Sequence, residues 1–340
     1  MSSFATLSAV QLGRFGALPE KFVDNPFRSA VLDPLQRRNA ALDAVFYDVD
    51  AVTVDEIPNL SFWLAREGAI LVAPPTGEGL IRFHLSAEDF LAAGEDVGAL
   101  TVAGVGGTAL GAAGFARNVA DAIGRPAAAV ISGYGLSDAL TEALGGFFWF
   151  GALNSIRHFF EPLDEATKRF TRSEERPDEN EPARTSRDTE TLIALLADER
   201  FPADLLVGHS KGNLVLSEAL YALAAENPMR TARLASTARI VTIGAMIGMP
   251  PPYQNVIDVM GALDWFGALN SRPDVNADYV VPNAWHSTNP DFPFGMGIKV
   301  AQVLREALER FTRRPTAQSN MRLVSALDAP QLLTAALRAE

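Results

Sequence analysis

Ser210 lies in Gly208-His209-Ser210-Lys211-Gly212, the G-x-S-x-G spacing that lifts a serine hydroxyl out of a strand on a very tight turn. Such a hydroxyl can attack an acyl carbonyl if a base takes its proton, a third group orients the base, and N–H donors meet the developing negative charge. Four histidines are candidate bases: His84, His158, His209 and His286. Cysteine is absent, which excludes a thiolate nucleophile, a disulfide framework and a Cys-ligated metal. With no spaced histidine pair either, no cofactor and no metal is expected, and a chelator is expected to leave activity unchanged.

The flanks of this stretch say what must position the serine. Leu205-Leu206-Val207 suits a short buried strand, and 211–225 places Leu216, Leu220 and Leu223 at helical spacing. Glycines on both sides of the turn allow neighbouring backbone to pass closely, and the helix start offers N–H groups and a dipole to an anion. A second strand-loop-helix pattern runs from Leu100 through Gly104-Val105-Gly106-Gly107 and Phe115, Val119 and Ile123 to the strand Ala127–Ile131. Its length of 32 residues fits a βαβ crossover, and so a parallel sheet. The glycine loop lacks the third glycine, the lysine and the acidic strand end that a nucleotide would need. Upstream, Ala69–Ala73 and Leu80–His84 predict a hairpin across Pro74–Gly79, with His84 as a strand surface residue.

Composition bounds the partners. Apolar residues at 48 % with charged ones at 21 % are those of an ordinary globular chain with a large core. A net charge of −12 with no basic stripe argues against nucleic acid or an anionic membrane. The uncharged run 97–116 is 20 residues long, but six glycines break it, so no transmembrane segment is expected. Residues 1–30 carry no charged start followed by an apolar run, which predicts a cytoplasmic protein.

Three segments, 100–138, 204–225 and 239–290, resemble the α/β-hydrolase fold, and the last two resemble its class 3 lipase branch. The residues that carry the likeness are the GHSKG elbow, the strand Ile240–Ile243 running into Gly244, a strand ending near Asp264 and a strand leading to His286. Ala103-Gly104 stands where that family often has His-Gly, and Lys211 where Leu is commoner; neither change removes a backbone N–H. The resemblance implies an α/β fold with a mostly parallel central sheet flanked by helices and the chain order Ser, acid, His. His84 and His158 precede the nucleophile and His209 lies inside the elbow, which leaves His286 as base. Asp264 ends the apolar run 256–263 and precedes His286 by 22 residues, so it is the expected acid ahead of Asp258, Asp274 and Asp278. The oxyanion is expected at the N–H of Lys211 and a second N–H from Val105 or Gly106. The implied function is a serine esterase or lipase acting on a small-molecule or lipid-like ester through an acyl-enzyme. A thioesterase or acyltransferase with the same triad, and a non-catalytic binding protein on the same fold, are the alternatives.

The expected organisation is an N-terminal cover over 1–65, a catalytic domain over 66–312 with an insertion at 138–188, and a C-terminal tail over 313–340. Residues 1–65 show no chemistry, only helical stretches such as 39–46 and a short edge strand over 52–57. The insertion carries Phe147-Phe148-Trp149-Phe150 and Phe159-Phe160 and then a charged run over 173–188, with nine charged residues of 16. It predicts a lid over an apolar acyl pocket; the alternatives are added core or a homodimer face. Thr185 and Asp188 form a candidate capping box for a helix bearing Leu192, Leu195 and Leu196. The heptapeptide Trp-Phe-Gly-Ala-Leu-Asn-Ser occurs at 149–155 and again at 265–271, in unlike flanks, and both copies are expected as turns at the pocket mouth. Phe148, Trp149, Trp265 and Trp285 are the expected pocket residues.

Overall fold

The computed structural model describes residues 43–57, 60, 67–104, 108–132, 186–272 and 276–313. Eight strands form one sheet: β1 (Ile70–Ala73), β2 (Arg82–His84), β3 (Ala99–Val102), β4 (Ala127–Val130), β5 (Leu205–His209), β6 (Arg239–Ile243), β7 (Val256–Gly261) and β8 (Tyr279–Val281). Their spatial order is β2-β1-β4-β3-β5-β6-β7-β8. β1 runs antiparallel to both β2 and β4, and every other pairing is parallel. The fold is therefore α/β, with a mostly parallel sheet flanked by helices, as the crossover length of 100–131 predicts. The described helices are α1 (Ala87–Ala93), α2 (Ala109–Ile123), α3 (Arg187–Ala197), α4 (Lys211–Glu226), α5 (Pro228–Thr237), α6 (Trp265–Leu269) and α7 (Val300–Arg313).

Alternation along the central strands sorts the core into two layers. Leu205, Val207, Val241, Ile243, Ile257 and Val259 face α2 and α7, whereas Leu206, Ile240 and Val256 face the leucines of α3 and α4. The same period sends His209 to the Leu205 and Val207 side, where its ring meets Tyr47 and Phe115.

Helix α2 is lined with alanine and glycine because chain lies directly against it. A Cβ at Gly114 would sit 2.3 Å from the Asp48 carbonyl oxygen, and one at Gly111 2.5 Å from the Asp43 carboxyl carbon. Residues 43–52 fill that space. A helical turn at 43–46 leads into the 3-10 turn Val49–Ala51, and Tyr47, Val49 and Val52 are buried. The edge strand expected over 52–57 is instead a turn, because the Glu56 carboxylate curls back to accept from the Thr53 N–H and hydroxyl, each at 2.9 Å. Glu56 also accepts from the Ile81 N–H and pairs with the buried Arg117 of α2.

The helix expected after the charged run is α3, with Leu192, Leu195 and Leu196 fully buried. Its N-cap is Ser186, so the capping box on Thr185 is not the one used; Asp188 is buried and accepts from the Thr189 N–H at 2.7 Å. The run 173–188 thus ends in helix, and its earlier part lies outside the described residues. Among the described residues no helix is long and apolar enough to cross a membrane.

Candidate active site

The turn between β5 and α4 holds Ser210 at φ 53 and ψ −123, a left-handed conformation that a non-glycine residue reaches only at a cost of order 1–3 kcal/mol. Three close approaches hold it there. A Cβ at Gly208 would lie 2.2 Å from Asn213 Oδ1, and one at Gly212 2.1 Å from the Val102 carbonyl oxygen. One at Gly104 would meet the His209 carbonyl oxygen at 2.5 Å and the Lys211 nitrogen at 2.9 Å. The Ser210 N–H donates to the Ile243 carbonyl at 2.9 Å, which pins the turn to the end of β6. Asn213 then donates to the carbonyls of Ile243 and Ala245 from the first turn of α4.

Ser210, His286 and Asp264 come together as expected. His286 Nε2 is 2.8 Å from Ser210 Oγ, and His286 Nδ1 lies 3.1 and 2.9 Å from the two oxygens of Asp264. A carboxylate can only accept, so the proton on the ring is assigned to Nδ1, and bare Nε2 accepts from the serine hydroxyl. Both Asp264 and His286 are buried, while Ser210 keeps 7 % of its surface exposed. Asp264 is held in turn: one of its oxygens accepts from the Gly267 N–H at 2.6 Å, capping the five-residue helix α6. The His286 ring lies in an aromatic cage, 4.8 Å from the Phe266 ring, 6.0 Å from Phe46 and 6.2 Å from Trp285.

Other expected residues fall variously. Lys211 is the first residue of α4, and its backbone nitrogen lies beside Gly104. Val105 and Gly106 lie outside the described residues, as do Phe148, Trp149, most of the insertion 138–188 and the first copy of the repeated heptapeptide. The second copy is the helix α6 with Asn270 and Ser271 rather than a plain turn, and Ser271 supports it by donating to the Gly267 carbonyl. Trp265 is 55 % exposed and edge-on to Phe266; the aromatic of this motif that reaches the base is Phe266. Trp285 is stacked between Phe46 and Phe292. His84 pairs with Glu95, well away from the serine, which fits a strand residue at the sheet edge. Asp258 accepts from the Thr242 hydroxyl inside the sheet, and Asp278 accepts from the Asp258 N–H.

Two buried groups had no sequence signal: Tyr47 and the role of His209. His209 Nε2 lies 2.9 Å from the His286 carbonyl oxygen, and Nδ1 lies 2.9 Å from the Tyr47 hydroxyl. Burial, with the neighbouring His286 adding to it, pushes the His209 ring down to about 3, so it is neutral. Behind it, Asp43 accepts from the Thr108 hydroxyl and N–H and from the Gly111 N–H at the start of α2. Burial nonetheless raises its carboxyl to about 8.

These two shifts act in opposite directions on stability. Asp43 keeps its proton in the folded chain, so its contribution is complete below pH 3.8 and is lost as pH rises through about 8. His209 is neutral when folded and charged when unfolded from pH 6.5 down to about 3, so acidification through that window destabilises the fold. Each slope is at most about 1.4 kcal/mol per pH unit. They offset one another between pH 3.8 and 6.5, leaving only the Asp43 slope above 6.5. Urea unfolding is expected to show a decline from pH 6.5 to 8 that Asp43→Asn removes; an equal decline in the variant would contradict the assignment.

Compared with protein-family models, curated proteins and solved structures, the chain matches none of them.

Proposed function

We propose that this chain is a serine hydrolase of the α/β-hydrolase type that cleaves carboxylic esters, with lipid-like or aromatic acyl groups as its substrate class. One observation carries the reading. A serine held at positive φ at the start of a helix is joined through His286 Nε2, at 2.8 Å, to a base whose other nitrogen is held by a buried carboxylate. Hydroxyl groups that merely stabilise a fold do not need strained backbone, and buried aspartate-histidine pairs aimed at one are the arrangement of acyl transfer. The chain order Ser210, Asp264, His286 and the placement of the serine after a central parallel strand support the α/β-hydrolase assignment.

In this mechanism Ser210 Oγ attacks the acyl carbonyl as His286 Nε2 takes its proton, and the carbonyl π pair moves to oxygen. The oxyanion is met by the Lys211 N–H and a second N–H from Val105 or Gly106; losing one such donor costs ~3 kcal/mol. Asp264 stabilises the imidazolium, which then gives the proton to the leaving alcohol as the C–O bond breaks. Water, deprotonated by His286, attacks the acyl-enzyme; the bond from the acyl carbon to Ser210 Oγ breaks, Oγ takes the proton back from His286, and the carboxylic acid leaves.

Turnover of a series of p-nitrophenyl esters of increasing acyl length, run beside labelling with a fluorophosphonate, tests the reading. Hydrolysis with labelling is expected; labelling without turnover of any ester would move the assignment to a thioesterase or acyltransferase, and neither would remove it. The aromatic insertion is the expected source of chain-length preference. Replacing 143–160 by a Gly-Ser loop is expected to spare acetyl esters and to weaken longer ones by up to ~0.8 kcal/mol for each acyl methylene that is no longer buried. An unchanged chain-length profile would take the insertion out of substrate binding.

A further inference from the structure

We propose that Tyr47 is a positioning residue for both sides of the catalytic centre, its hydroxyl linking the chain entering the glycine loop to the main chain of the base. The proposal rests on the Ser210, His286 and Asp264 reading above. Tyr47 is fully buried, 162 residues before His209 in sequence, and belongs to neither the elbow nor the strands that carry the triad.

The directions of its bonds follow from which partners can only give or only take. The Gly104 N–H can only donate, so it donates to the Tyr47 hydroxyl oxygen, at 2.5 Å. The His286 carbonyl can only accept, so His209 carries its proton on Nε2 and donates to it at 2.9 Å. A neutral ring then has bare Nδ1, and the Tyr47 hydroxyl gives its hydrogen to it at 2.9 Å. One continuous chain therefore runs from Gly104 N–H through Tyr47 and His209 to the backbone of His286.

Each end of that chain is a point the chemistry depends on. Gly104 opens the glycine loop, and its α-carbon faces the His209 carbonyl, Ser210 Cβ and Lys211 nitrogen. At the other end the His286 backbone sets where Nε2 stands relative to Ser210 Oγ. Tyr47 is itself keyed to the base loop. The carbonyls of Ala44, Val45 and Phe46 accept from Asn289 Nδ2, from the Ser287 hydroxyl, and from the Thr288 N–H and hydroxyl, at 2.7–2.8 Å. The three residues that follow the base thus grip the segment that bears the tyrosine. The ring alone packs edge-on against Phe115 and His209, which a phenylalanine would reproduce. The hydroxyl is what phenylalanine lacks, leaving the buried Gly104 N–H and His209 Nδ1 without that partner.

Tyr47→Phe tests this. Because the oxyanion side and the base side act on the transition state rather than on bound ester, kcat is expected to fall 10- to 100-fold with KM within about twofold of wild type. The rate of fluorophosphonate labelling of Ser210 should fall by a similar factor. Thr101→Val, which removes a buried hydroxyl bond to the Ala128 carbonyl within the sheet, serves as the control for stability loss alone and should keep kcat. If the phenylalanine variant does not fold, 3,5-difluorotyrosine at 47 keeps the shape while weakening the oxygen as acceptor, and should lower kcat two- to tenfold at constant KM. Unchanged kcat and labelling rate in the folded variant, or the same kcat loss in Thr101→Val, overturns the role of Tyr47. A wild-type protein that does not label at Ser210 overturns the underlying reading instead.

Discussion

Asp264→Asn is expected to lower kcat on any ester the protein turns over by about 10⁴-fold while leaving Ser210 and the fold in place. The carboxylate spans Nδ1 of the base at 3.1 and 2.9 Å and holds the proton on that nitrogen. An amide would present its N–H₂ to the ring, favour the other tautomer and leave the imidazolium without a counter-charge. Asparagine keeps the oxygen that caps α6 through the Gly267 N–H, so the loss should be catalytic rather than structural. Steady-state kinetics beside urea unfolding separate the two. A variant within tenfold of wild type would mean that Asp264 does not serve His286.

The second large effect is on stability. Gly212→Ala is expected to destabilise the fold by about 3 kcal/mol or more, since the new carbon would stand 2.1 Å from the Val102 carbonyl oxygen and 2.7 Å from its carbon. Both belong to the backbone of β3, at the centre of the sheet, so neither can swing aside. Gly94→Ala provides the contrast. It sits at the end of α1 at φ 64 and ψ 38 with open space around it, and only the left-handed backbone opposes a side chain there, at a cost of about 1 kcal/mol. Denaturant unfolding of both variants should rank them in that order; equal losses would mean that the elbow and β3 are not in contact.

The elbow was legible because its requirement is local: two glycines, a serine, an apolar strand before and leucines at helical spacing after. His286 and Asp264 were legible as the partners of Ser210 through chain order and the scarcity of histidine, and the structure brings the three within hydrogen-bond distance. Tyr47 was not legible. Nothing in Phe46-Tyr47-Asp48 distinguishes it from a surface turn, and its partners lie 57 and 162 residues away. The glycines of α2 held a trace of it, since Gly111 and Gly114 are small only because Asp43 and Asp48 press on them. The strand expected at 52–57 failed because β-branched residues favour extended backbone only while no side chain supplies the turn's acceptors, and Glu56 does so. Trp265, not Phe266, is the expected pocket residue of this motif. On the short helix α6, though, adjacent residues point about 100° apart, and it is the second that faces the base.

The central claim, that Ser210 is a nucleophile activated by His286, is tested most directly by treating the folded protein with a fluorophosphonate and mapping the adduct by peptide mass spectrometry. One equivalent bound covalently at Ser210, lost in Ser210→Ala and strongly slowed in His286→Ala, is the predicted result. No adduct, or an adduct at another residue that persists in Ser210→Ala, would contradict it.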